Sequence, residues 1–256
     1  MDIKRGDAAM NRPCNKNNFT GVFVFVILAL MAGGAWINCY VPSLFDPLRL
    51  RFFGPRTVEQ VMATLEPKLG RQTADLFTKA GCGFPDTRLT FIAMKQERRL
   101  EVWCASGGSW KMANQYSILA ASGLAGPKLK EGDLQVPEGI YSIPVFNPNS
   151  RFHLSMKLNY PNEFDQRMAR ADGRTRLGGD IFIHGSFFSI GCLAMGDSAI
   201  EELFYMARKV GSAHTRVIVM PYDFRKTAPS PPAGAPSWTA ELYRRIQENL
   251  APFKSA

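Results

Sequence analysis

"IFIHGSFFSIGCLAMGDS", residues 181–198, decides how this chain is read. It begins as an apolar strand and then breaks. His184, one of three histidines in the chain, is followed eight positions later by Cys192, with a glycine beside each. On one extended strand the two would lie about 26 Å apart. A strand end, a turn and a return bring them together, and Gly185 and Gly191 permit such a turn. A thiolate attacks carbonyls well, and histidine can take its proton near neutral pH. Gly191 lets the backbone approach a tetrahedral oxyanion, with its own amide or that of Cys192 as donor. A helix starting near Asp197 adds a modest positive end. The bland alternative is a buried strand, since free cysteine is among the most buried residue types. Zinc wants four ligands at set spacing, and only the distant His153 or His214 could join this pair. No metal and no cofactor is expected.

Outward from this stretch the pattern is β-rich. From Arg88 onward, "RLTFIAM", "RLEVWC", "WKMA" and "QYSILAA" are short runs of strand formers with turn signals such as Ser106-Gly107-Gly108 between them. "GIYSIPVF", "FHLSMKL", "DIFIHG" and "TRVIVMPYDF" continue the series. Short connections make the first strands hairpins. The expected fold class is β-rich α+β, a sandwich or barrel with flanking helices.

The helices lie at the ends. "TVEQVMATLEPKL" puts Val58, Val61, Met62, Leu65 and Leu69 on one face, and Thr57 and Gln60 have capping-box spacing. A second short helix is expected around residues 71–80, ending at Gly81. "DSAIEELFYMARKVG" predicts a helix with Ser198 and Glu201 as its capping box and Gly211 at its end. The proline-rich stretch 229–237 leads into a last helix carrying Trp238, Leu242, Ile246 and Leu250.

The N-terminus places the chain in a compartment. Lys4, Arg5, Arg12 and Lys16 precede "FTGVFVFVILALMAGGAWI", residues 19–37, a run without charge. That is the pattern of a signal anchor or a signal peptide, an uncleaved anchor being slightly preferred. Either reading sends the remainder out of the cytoplasm. Cys82, Cys104 and Cys192 would then face an oxidising compartment; a Cys82–Cys104 pair is one option that spacing leaves open. The domains read as 1–18, a cytoplasmic basic segment; 19–37, the anchor or signal; 38–56, a linker; 57–86, a small helical unit; 87–227, the catalytic domain; and 228–256, the proline-rich linker and last helix. The formal net charge of +9 suits anionic polymers or a membrane surface. Without a zinc finger, an RNP-like strand or a P-loop, nucleic acid is not expected as a partner.

"IHG…SIGCLAM" resembles the active-site signature of the YkuD-type L,D-transpeptidases, more closely their YafK-like branch. The resemblance extends through "EVWCASGGSWKMANQYSILAASGLAGPKLKEGDLQVPEGIYSI" and "NPNSRFHLSMKLNYPNEFD", over roughly residues 87–225. It implies an L,D-transpeptidase-like fold and cysteine acyl transfer on peptidoglycan stem peptides through a thioester. Carried over, Cys192 is the nucleophile, His184 the general base and acid, and Gly191 an oxyanion donor. Ser189 supports the loop and Gly185 matches the glycine after the histidine. "VPEG", with Pro137 and Gly139, resembles a turn near the substrate groove. Two departures stand out: the larger branch has a histidine where this chain has Ile190, and an arginine where it has Ala194. Arg174 and Arg176, in a glycine-rich stretch expected to be a mobile loop, are candidates for holding stem-peptide carboxylates.

The expected function is therefore an envelope-facing, periplasmic cysteine enzyme that cross-links the wall, attaches protein to it or remodels it. A hydrolytic amidase of the same mechanism, releasing protein or amino acid, is the alternative. A membrane-anchored, non-catalytic wall-binding protein is the second alternative.

Overall fold

The computed structural model describes residues 51–254. The basic segment 1–18, the apolar run 19–37 and most of the linker 38–56 lie outside the described residues. The 22-residue helix α1 (Val58–Lys79) starts on a capping box: the Thr57 hydroxyl accepts from the Gln60 amide, and the Gln60 side chain accepts from the Thr57 amide. It runs straight through Pro67 and is one helix, not the two short ones expected. A continuous inward stripe overrides the break: Val61, Leu65, Leu69, Thr73 and Phe77 all bury on one side.

Ten strands follow in two mixed sheets. β1 (Leu89–Met94), β2 (Arg99–Ser106) and β3 (Ser109–Ser117) form the expected antiparallel hairpins. β10 (Thr215–Met220) pairs parallel to β1, and β5 (Gly139–Ser142) completes this first sheet in the order β3-β2-β1-β10-β5. The second sheet holds β4 (Ala120–Ala121), β6 (Val145–Ser150), β7 (His153–Lys157), β8 (Phe182–His184) and β9 (Leu193–Ala194), in the order β4-β9-β8-β7-β6. The chain is thus an α+β fold with two separate sheets and flanking helices.

Alternation along β1 explains the layering. Leu89, Phe91 and Ala93 enter a core shared with Leu154, Met156, Ile183 and Leu193 of the second sheet and with α1. Ile92 and Met94 point the other way, into a second core with Leu242, Tyr243, Ile246 and Leu250 of helix α4 (Thr239–Leu250). The helical stretch before the strands therefore belongs to the central core. A disulfide joins Cys82, just beyond α1, to Cys104 on β2, with Cα atoms 6.3 Å apart.

Two local expectations are corrected. Helix α2 (Glu163–Ala171) occupies part of the supposed arginine loop, capped reciprocally by Asn162 and Asp165. Helix α3 (Asp197–Val210) does not use Ser198 and Glu201 as a capping box: Gly196 is its N-cap, with no side-chain cap bond. The Glu201 carboxylate is drawn instead to His153 Nε2 (2.9 Å) and Lys68 Nζ (2.7 Å). Gly211 ends the helix as expected.

Candidate active site

β8 ends at His184, and the chain returns to lie beside it as β9. The pairing is parallel, with Ile183 opposite Leu193 and His184 opposite Ala194. Cys192 thus stands alongside Phe182 at the mouth of the β8–β9 pair. Parallel neighbours normally need a dozen or more connecting residues. Here residues 185–192 suffice because left-handed backbone at Ser186 (φ 60°) and Gly191 (φ 89°) folds the loop back.

Each end of this loop is pinned. The Ser186 amide donates to Asp197 Oδ1 at 2.7 Å, tying the loop to the first turn of α3. Ser189 Oγ accepts from the Cys192 amide (3.1 Å) and donates to the Cys192 carbonyl (2.5 Å). Between them Phe187, Phe188 and Ile190 face solvent. A β-carbon on Gly185 would lie 2.6 Å from the Phe152 carbonyl oxygen and 2.7 Å from Asp197 Oδ1. Gly185 is buried and serves close packing.

His184 is almost fully buried. Its Nδ1 lies 2.6 Å from the Gly185 carbonyl oxygen, so Nδ1–H is the donor and Nε2 carries the lone pair. The Phe152 ring lies against the imidazole, centroids 4.7 Å apart. Burial pushes the imidazole below the ordinary histidine value, with the Gly185 carbonyl acting in the opposite direction. The Asp180 carboxylate binds Lys157 Nζ at 2.7 Å.

Cys192 is half-buried and is the free cysteine among the described residues that carry one. Its Sγ accepts from the Phe182 amide (3.4 Å) and donates to the Asp180 carbonyl (3.7 Å). No hydrogen bond joins it to His184. Burial raises the thiol above its ordinary range; the Phe182 amide opposes this, the Asp180 charge adds to it and Lys128 opposes it. The resting pair is therefore a neutral thiol and a neutral imidazole.

A cavity of about 300 Å³ opens at the Cys192 loop, lined by Lys128, Glu131, Leu134, Asp180, Ile190 and Gly191 among others. The remaining sequence candidates do not converge on it. Pro137 and Gly139 are buried, and a β-carbon on Gly139 would meet the Tyr141 hydroxyl at 2.7 Å. Their turn is a core element because Glu138 between them is buried and salt-bridged to Lys95 at 2.8 Å. Arg174 binds Asp172 and the Leu129 carbonyl and lies over the Trp238 ring. It faces a different cleft, between residues 124–135 and 232–236. Arg176 pairs at the surface with Glu131, which borders the 300 Å³ cavity. Ala194 is sealed between Ala120 and His184, whereas Ile190 is 76% exposed.

Three participants were not read from the sequence. Ser122 accepts the Gly191 amide at 2.5 Å across a separation of 69 residues. Phe152 covers His184, and Asp197 holds the loop. Ser122 and Phe152 depend on pairing across the second sheet, and Asp197 on how the loop folds back onto α3, neither of which local spacing reveals. Among the described residues no three His, Cys, Asp or Glu side chains gather as a metal would require.

A buried histidine and a free cysteine thus stand on adjoining strand ends. Residues 85–219, more than half the chain, match the YkuD family, the L,D-transpeptidase catalytic domain, and the chain belongs to that family. It is 35% identical over 136 residues to the YafK protein of Escherichia coli K12, across 52% of this chain and 53% of that one; the O157:H7 protein matches equally. The match thus spans about half the length of these relatives. Among solved structures it is similar to the helical cell shape determining protein Pgp2 of Campylobacter jejuni (TM-score 0.45, 24% identity, 54% of this chain and 49% of that one). Bd1075 of Bdellovibrio bacteriovorus is also similar (TM-score 0.41, 21% identity, 65% and 55%).

Proposed function

We propose that the chain is a cysteine acyl-transfer enzyme acting on peptidoglycan stem peptides, with Cys192 as nucleophile and His184 as base and then acid. The observation that carries this reading is the tautomer of His184. Its Nδ1–H is committed to the Gly185 carbonyl, which leaves Nε2 as the basic atom, and the loop that follows His184 runs on to a free thiol.

The chemistry follows from the neutral resting pair. Sγ leaves its backbone partners and turns to Nε2, which takes the thiol proton as sulfur attacks a stem-peptide carbonyl. The carbonyl oxygen becomes an oxyanion held by the Gly191 amide. When the intermediate collapses, the departing amine takes the proton back from His184 and a thioester remains. An amine acceptor then regenerates the thiol by forming a new amide, giving a cross-link or an attached protein. Arg176, paired with Glu131 at the cavity edge, is the candidate for holding a carboxylate; Arg174 is engaged in its own contacts.

Hydrolysis is the second reading, with water as acceptor. It is favoured by Ile190 and Ala194, which offer no polar group where the resemblance leads one to expect a histidine and an arginine. The Cys82–Cys104 disulfide supports an oxidising location in the cell envelope. Anchoring through residues 19–37 is part of the same proposal.

Sacculi carrying or lacking attached protein, incubated with the full chain and analysed by mass spectrometry, test it. New amine exchange indicates transfer; shortened stems or released protein indicate hydrolysis. Identical products from wild type and Cys192→Ala would leave a wall-binding protein as the reading.

A further inference from the structure

The Gly191 and Cys192 amides each donate to a serine hydroxyl, and the two serines differ. Ser189 has its proton committed: its Oγ takes the Cys192 amide and gives its own proton to the Cys192 carbonyl. It therefore keeps the Cys192 amide occupied and has no proton to offer a substrate. Ser122 Oγ takes the Gly191 amide, yet no described residue accepts the Ser122 proton.

Ser122 is held firmly. It directly follows β4, whose Ala120 and Ala121 pair with Ala194 and Leu193, so β9, which directly follows Cys192, also orders Ser122. Its carbonyl accepts the Val136 amide. The next turn is locked by Gln135, whose side chain binds Leu124 through both its oxygen and its nitrogen and also reaches the Gly126 carbonyl. Gly123 there has φ 90°, and a β-carbon on it would collide with the Gln135 side chain.

Resting on the acyl-transfer reading, we propose that Ser122 is a further catalytic residue, a side-chain donor of the oxyanion site. In the resting protein its oxygen keeps the Gly191 N–H aimed at the position the substrate oxygen will take. As Sγ bonds to the carbonyl carbon, the C=O π pair moves onto oxygen. That oxygen takes over the Gly191 N–H, and the freed Ser122 hydroxyl turns to donate to it as well. No proton leaves Ser122; the thiol proton goes to His184. Preorganised donors of this kind contribute through charge that develops only during the reaction.

The test compares two reactions at one sulfur. Acylation by p-nitrophenyl acetate passes through an oxyanion, whereas alkylation by iodoacetamide does not. Both adducts at Cys192 are followed by mass spectrometry on the full chain. Ser122→Val and Ser122→Thr have matched shapes and differ in the hydroxyl. Ser122→Val should slow acylation about 10- to 100-fold and leave alkylation within about twofold. Ser122→Thr should return acylation to within about threefold of wild type. Unchanged acylation in Ser122→Val overturns the proposal. Acylation and alkylation falling together also overturns it, because that marks a structural role. A wild-type Cys192 that is alkylated but never acylated sinks the acyl-transfer reading itself, whatever the variants do.

Discussion

Two buried polar regions of this molecule face opposite demands. Around Lys95, Glu138 and Tyr243, every charge has a partner: Lys95 Nζ meets Glu138 at 2.8 Å and the Leu124 and Val136 carbonyls, while Glu138 also accepts the Tyr243 hydroxyl and the Gly126 amide. Nearby, Arg225 bridges Glu101 and Asp223. Around Cys192 and His184, the partners are backbone groups and an aromatic ring. A counter-charge offsets burial, as Glu138 does for the Lys95 ammonium, whereas burial without a bonded counter-charge keeps both members uncharged and leaves their proton free to move. The first region holds the fold, and the second is suited to chemistry.

The largest effect that separates them is on turnover. Cys192→Ala should reduce product formation from sacculi by at least about a thousandfold, with a thermal midpoint close to wild type. Retained turnover would remove the second region from the chemistry. Glu138→Ala should do the reverse, costing about 3–5 kcal/mol in denaturant unfolding because it strands the buried Lys95 ammonium. Pairing it with Lys95→Met should recover part of that loss. If Glu138→Ala unfolds at the wild-type midpoint, the claim that this region holds the fold is wrong.

The same contrast explains what the sequence could reveal. Strand periodicity and hairpin turns are local: β1 and β2 lie where "RLTFIAM" and "RLEVWC" put them, whereas "WKMA" and the start of "QYSILAA" join in the single strand β3 and the end of the latter forms β4. His184 and Cys192 are legible because rare residue types sit beside glycines at a spacing that requires a turn. "VPEG" misleads because a family turn and a core turn look alike; only Lys95, more than forty residues earlier, gives Glu138 its role. Glu201 misleads in the same way, since its capping-box position competes with His153 and Lys68 across the fold. Ser122 is illegible because its partner is a backbone amide, and any residue supplies one.

Gly185 tests the packing that joins the two functions. Gly185→Ala brings a β-carbon against the Phe152 carbonyl and Asp197, and overpacking of this kind costs about 1–3 kcal/mol. The shift should also move His184, whose Nδ1 partner is the Gly185 carbonyl. Acylation of Cys192 is therefore expected to fall more steeply than stability does. A variant that loses stability but acylates at the wild-type rate would show that the imidazole does not depend on this contact.

The smallest effect is the most diagnostic of the neutral pair. His184 is held below the ordinary value of about 6.5, so between the folded and unfolded values the unfolded chain binds the extra proton. Its contribution to stability is full above about pH 6.5 and is lost as pH falls through the folded value. Cys192 is shifted upward, so the unfolded thiol ionises first as pH rises, and its contribution is lost on the alkaline side. The same two shifts govern reactivity. Imidazole stays in its base-competent form into mildly acidic solution, while thiolate is scarce near neutrality. Iodoacetamide labelling of Cys192 should therefore climb steadily through the alkaline range with no plateau between pH 6 and 8. NMR titration of His184 should place its midpoint below that of an unfolded histidine. A labelling plateau near neutral pH, with a His184 midpoint above about 6.5, would mean a preformed thiolate–imidazolium pair. The contrast with the salt-bridged Lys95–Glu138 region would then disappear.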